Sequence, residues 1–196
     1  MTIALIGAIA IGIFLWTLVR ATLYAPDTQI FPATPALAMS TLTLSATSSL
    51  PTHLVIPSLG IHAHIQYVGE NASGNMRAPN NFTDVAWYEY GTVPGNVGSA
   101  VIAGHVDNGL GLDGVFKHLS GIALGADVSI ETAGGAVLHF KVSDIEVYPY
   151  QNVPSTLFTQ NDAARLNLIT CDGSWVPGGN TYDQRIVIYT RLVQTQ

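Results

Sequence analysis

The chain has 196 residues and a formal net charge of −6, with 48% hydrophobic and only 10% charged residues. That length suits one domain with a sizeable core, while the charged fraction falls far below the roughly one quarter of ordinary soluble domains. No Lys/Arg cluster follows Arg20, which argues against a nucleic-acid partner, and a single cysteine, Cys171, excludes an internal disulfide framework.

The low charge has a local cause. Between Met1 and Arg20 runs TIALIGAIAIGIFLWTLV, without an ionisable side chain and long enough for a membrane-spanning helix, with Trp16 near one end as interfacial aromatics are. A cleavable signal peptide is the rival, because Ala36-Leu37-Ala38 has the small-residue pattern of a processing site. The apolar run exceeds a usual signal core, no Lys or Arg precedes it, and the Ala motif lies well downstream, so residues 1–20 are read as an uncleaved anchor. Arg20 alone favours a cytoplasmic location for the residues C-terminal to it, but one arginine weighs little against a long translocated domain.

Residues 21–52 are rich in Pro, Ser, Thr and Ala and keep no sustained period, as in a stalk or linker; STLTLS within them alternates like a strand that could pack on the domain. From 53 to 196 the pattern becomes short β-branched runs separated by Gly, Pro, Asn and Asp. The expected strands are HLVIPS, IHAHIQYV, SAVIAGHV, DVSIET, VLHFKVSDIEVY, LNLITC and RIVIYTRLV, with a short hairpin loop at Ala133–Gly135. GVFKHLSGI and PSTLFTQNDAARL are expected as short helices. The chain is therefore mainly β, a closed barrel or a sandwich, and closure would remove exposed edges.

Most histidines have plain readings. His62 and His64 share the solvent face of a strand, and a metal site there needs ligands that the neighbouring sequence does not supply. His105 differs: it ends an apolar strand and enters the loop VDNGLG, a place that holds a general acid or base and exposes it. Cys171 ends LNLITC before DGSW in the same way. If the two flanking strands are antiparallel neighbours, Arg185, at the start of RIVIYTRLV, lies beside Cys171 and can aim donors at an oxyanion or a substrate carbonyl. Cys171 as a small buried hydrophobe and Arg185 as a surface ion pair with Asp172 or Asp183 are the alternatives.

Such a trio is coherent for acyl transfer: the thiolate attacks a carbonyl, the imidazolium protonates the leaving amine, and a thioester awaits a nucleophile. Magnitudes constrain it. With ordinary pKa values near 8.5 and 6.5, roughly 3% of a cysteine is thiolate and about a quarter of a histidine is cationic at neutral pH, so only about 1% of independent pairs carry both charges.

SAVIAGHVD, LNLITCDG and YDQRIVIYTRL, in that order, resemble the catalytic segments of sortases, the membrane-anchored cysteine transpeptidases of bacterial surfaces. LITC is similar to the family's TLxTC strand end at its last two residues, and RAPNNFTDVAWYEYGTVPGNVGSAVIAGHVD is closest to class F, with class E next. The resemblance spans Leu54 to Val193. It implies an eight-stranded β-barrel, cleavage of an LPxTG-type C-terminal sorting signal after its Thr, and transfer to an amine on a peptidoglycan precursor or a pilin. It assigns Cys171 as nucleophile, His105 as general acid/base, Arg185 as oxyanion or substrate-positioning group, and Thr170 as a substrate contact. It implies no cofactor, no metal, sorting-signal-bearing surface proteins as partners, and a single-pass protein of the bacterial cell membrane with its domain outside. Residues 21–52 then form an extracellular stalk or a lid. An L,D-transpeptidase would place His and Cys close together in a Ser-Gly-Cys-Arg context absent here, and a non-enzymatic surface-binding module would leave Cys171 dispensable.

Overall fold

The computed structural model describes residues 49–193 apart from Gly109 and Asn180. The expected anchor (1–20) and nearly all of the stalk (21–52) lie outside the described residues. Among the described residues no helix is long and apolar enough to cross a membrane.

Eight strands close into a barrel: β1 (Pro51–Ile56), β2 (Ile61–Val68), β3 (Val85–Tyr88), β4 (Gly98–Gly104), β5 (Asp127–Thr132), β6 (Val137–Pro149), β7 (Ala164–Val176) and β8 (Thr181–Leu192), in the order β1-β2-β3-β4-β7-β8-β6-β5. The pairs β2–β3 and β4–β7 are parallel and the rest antiparallel. The choice between barrel and sandwich is thus decided for the barrel, which leaves no strand edge unpaired.

The alternation of β1, β2 and β5 sends Leu54, Ala63, Ile65, Val128 and Ile130 into the barrel core, where they meet Ile102, Phe116, Leu168 and Ile188. The strand β4 and the Arg165–Thr170 part of β7 are buried on both faces. Ala100, Ile102, Leu166 and Leu168 point into the barrel, whereas Val101, Ala103 and Ile169 join a second cluster outside it with Met76, Tyr88 and Leu157. This double burial is the usual condition of parallel-paired strands and explains the near-continuous apolar runs in their sequences. The second cluster is covered by α1 (Thr156–Thr159), whose Leu157 is fully buried and contributes about 1.5–3 kcal/mol by burial. Asn167, itself fully buried on β7, donates from Nδ2 to the Leu157 carbonyl at 2.8 Å and fixes that turn in place.

Three expectations change. The sequence DVAWYEY contains a strand, β3, that was not anticipated, because all four of its residues are buried and no alternation marks it. The helices expected at GVFKHLSGI and PSTLFTQNDAARL shrink to a 3-10 turn at Leu119–Gly121 and the single turn of α1, since Ala164 and Arg165 are drawn into β7. Finally, β7 does not end at Cys171 and β8 does not begin at Arg185. The hairpin ladder continues to the pair Val176–Thr181 through a bulge between Asp172 and Trp175. Gly173 makes that bulge possible with φ 81°, and the Ser174 amide closes it by donating to Asp183 Oδ1 at 2.7 Å.

Candidate active site

Three elements bring the site together. Cys171 on β7 and Arg185 on β8 are direct cross-strand partners, so the antiparallel neighbourhood expected from the sequence holds, within the ladder rather than at its end. The β4–β7 pairing runs from Gly98–Ala164 to Ala103–Ile169, which sets Gly104 beside Thr170 one step further on. There the Thr170 hydroxyl donates to the Gly104 carbonyl at 2.7 Å, tying together the residues that immediately precede Cys171 and His105. Gly104 has no room for a side chain: an added Cβ would lie 2.5 Å from the Phe116 ring.

His105 is 5% exposed, and its Nε2 lies 2.9 Å from the Pro79 carbonyl. A carbonyl only accepts, so this pairing places a proton on Nε2. Pro79 belongs to RAPNNF, whose next residues are equally fixed: the Asn80 amide donates to Gln66 Oε1 at 3.1 Å, and Asn81 Nδ2 donates to Asp84 Oδ2 at 2.9 Å. One segment of that long stretch therefore serves to seat the imidazole.

Arg185 is 1% exposed, and among the described residues it makes no ion pair with Asp172 or Asp183. Its Nη1 donates to the carbonyls of Tyr182 (3.0 Å) and Gln184 (2.7 Å), and its Nη2 donates to Thr181 Oγ1 at 2.7 Å. The guanidinium also lies 5.7 Å from the Tyr150 ring centroid. Its Nε is buried and has no hydrogen-bond partner among the described residues. The hairpin thus holds the cation by its two Nη atoms and leaves the Nε–H unspent among the described residues.

Burial pushes the Cys171 thiol above its ordinary pKa. Arg185 and a backbone hydrogen bond from Tyr182 pull the other way, and Asp107 and Asp172 reinforce the rise. Burial likewise lowers the Arg185 pKa, against the opposing influence of Cys171. The Tyr182 hydroxyl donates to Asp107, which links the His105 loop to the β7–β8 hairpin. Burial and that carboxylate push the phenol up to about 12.

Ala78, Gly104, His105, Thr170, Cys171 and Arg185 line a pinched cavity of about 10 Å³. Through Ala78 it adjoins a polar cleft of about 610 Å³ flanked by Gln66, Glu70, Arg77 and Tyr90. The four residues expected from the sequence therefore meet at one cavity. Pro79, Asp107 and Tyr182, which position them, were not foreseen. Only Tyr182 and Asp107 carried a hint, being polar residues within the matched segments.

A closed barrel that gathers a cysteine, a histidine and a buried arginine around one small cavity defines a cysteine-dependent acyl-transfer architecture. The sortase domain model matches residues 54–193, so the chain belongs to the sortase family and is a cysteine transpeptidase. Solved structures with the same fold include sortase C-1 from Actinomyces oris (23% identity, 73% of each chain covered, TM-score 0.55). Sortase D5 from Clostridium perfringens shares 19% identity, with 74% of this chain and 79% of that one covered and a TM-score of 0.56. Sortase A from Corynebacterium diphtheriae shares 17% identity, with 88% and 78% covered and a TM-score of 0.56. No curated protein matches significantly.

Proposed function

We propose that the chain cleaves an LPxTG-type sorting signal and transfers the released acyl group to an amine of a peptidoglycan precursor or a pilin. The observation that carries the reading is the direct pairing of Cys171 with Arg185, whose buried Nε remains unspent. Cys171 Sγ attacks the threonine carbonyl of the signal, and its proton passes to His105. The carbonyl oxygen takes up negative charge near Arg185, the C–N bond to the following glycine breaks, and His105 returns the proton to the leaving amine. The thioester left on Cys171 is then attacked by the acceptor amine. Because the Thr170 hydroxyl proton is committed to Gly104, that side chain can meet substrate only as an acceptor.

The assignment to class F rests on RAPNNF and LITCDG, because class C, D and A structures at 17–23% identity share the fold without discriminating among classes. The apolar segment 1–20 supports a single-pass membrane anchor, with residues 21–52 as stalk and the domain outside the cell. The test is a quenched LPxTG-type peptide with an amine acceptor: the protein releases the C-terminal fragment and forms the amide product, and Cys171→Ala does neither. A protein that leaves a panel of such peptides uncut, with Cys171 unreactive to a thiol-directed peptide analogue, would remove the reading.

A further inference from the structure

In the closed barrel β1 lies four strands from β7 in either direction, so its outer face is on the far side from the reaction centre. Leu54 turns inward opposite Ala63 and Ile130, which turns the adjacent His53 outward between its two cross-strand partners, Glu131 on β5 and His64 on β2. His62 lies on the same outer face, two residues before His64. As a result, His53 Nδ1 and His62 Nε2 stand 3.6 and 3.4 Å from the same oxygen, Glu131 Oε2. The two imidazoles are stacked, with centroids 4.9 Å apart and an interplanar angle of 16°. All three potential ligand atoms lie within 4.8 Å of one another.

Bonds of about 2.0–2.2 Å in a tetrahedron separate neighbouring ligands by about 3.3–3.6 Å. Both histidine–glutamate distances already meet that requirement, and the exposed rings turn out of their stack to bring both nitrogens in plane with one ion. Two imidazoles and one carboxylate suit a borderline transition metal, whereas calcium and magnesium require sets of six or more oxygens or water-rich octahedra. We propose that His53, His62 and Glu131 bind a divalent transition-metal ion of the zinc type, independently of the reaction at Cys171. The side chains are 37%, 58% and 41% exposed, so the ion enters directly from solvent. The fourth position falls to water or to His64, whose ring stands edge-on to His53 at 5.7 Å. Such an ion cross-links β1, the first strand after the linker, to both its neighbours.

The experiment is a calorimetric titration of the full-length protein carrying Cys171→Ala, which removes the competing thiol, with zinc chloride, paired with thermal melts. One equivalent should bind and raise the melting temperature. His62→Ala and Glu131→Gln should each weaken binding by more than the roughly tenfold that loss of even an outer partner costs, and abolish the thermal shift. Both positions are solvent-facing, so the variants should melt like the parent without zinc. Absence of saturable binding in the parent, or an affinity unchanged in both variants, would overturn the proposal.

Discussion

Thr170→Val keeps the volume of the side chain and removes one donor, so it tests whether the bond to Gly104 positions the site. The hydroxyl meets the Gly104 carbonyl at 2.7 Å one step beyond the end of the β4–β7 ladder, and Thr170 is only 4% exposed. The carbonyl then faces only a cavity with room for roughly one water, and losing its donor costs up to about 1–3 kcal/mol. At roughly 2–4 °C per kcal/mol for a domain of about this size, the melting temperature should fall by several degrees. Catalysis should suffer more than stability, because the bond joins the two residues preceding His105 and Cys171, and a misplacement of about 1 Å can cost about 100-fold. The assay is kcat/KM for peptide cleavage beside a thermal melt, with Thr170→Ser as the conservative control that restores the hydroxyl. Wild-type turnover and stability in Thr170→Val, or equal impairment in Thr170→Ser, would refute the reasoning.

Arg185→Ala should slow thioester formation by about 10²–10³-fold, as loss of an oxyanion donor does, measured by single-turnover acylation. The rate of Cys171 alkylation by a neutral reagent should rise with pH around a midpoint above the ordinary value near 8.5, and higher still in Arg185→Ala, since burial raises the thiol's pKa and Arg185 opposes that rise. The same shift fixes the sign of the linkage. The folded chain keeps a proton that the unfolded chain has already released, so the contribution of Cys171 to stability is full below the unfolded pKa and is lost as pH rises through the folded one. Gly104→Ala should destabilise by about 1–3 kcal/mol in denaturant melts, because its Cβ would meet the Phe116 ring at 2.5 Å.

Burial decides which elements are legible in the chain. β2 and β5 are legible because one face is buried and the other wet, so their alternation is written in the residues. β3 escaped because Val85, Ala86, Trp87 and Tyr88 are all buried, and the polar DGSW segment passed for a loop because a bulge is encoded by Gly173 and Asp183, which are distant in sequence. The same limit governs the sites. Cys171, His105 and Arg185 each adjoin a strong strand signal and could be named, whereas the Pro79 carbonyl behind His105 and the Asp107–Tyr182 bond are tertiary facts. The two-histidine strand offers too few candidate ligands by itself because the other two side chains of the cluster, His53 and Glu131, arrive from β1 and β5.

The thiol and the guanidinium pose one problem together. Independent titration already leaves about 1% of Cys/His pairs doubly charged at neutral pH, and burial of Cys171 lowers that fraction further. A site designed to hold a resting ion pair would instead depress the thiol. What the fold provides is a neutral nucleophile facing a fixed cation whose Nε lacks a partner among the described residues. On the proposed reaction, a substrate carbonyl supplies that partner, and negative charge forms on sulfur and then oxygen where the donor is already in place. No reorganisation is then needed at the moment of attack. The high thiol pKa therefore need not signal a weak enzyme: the ionisation is deferred to the step in which it is used.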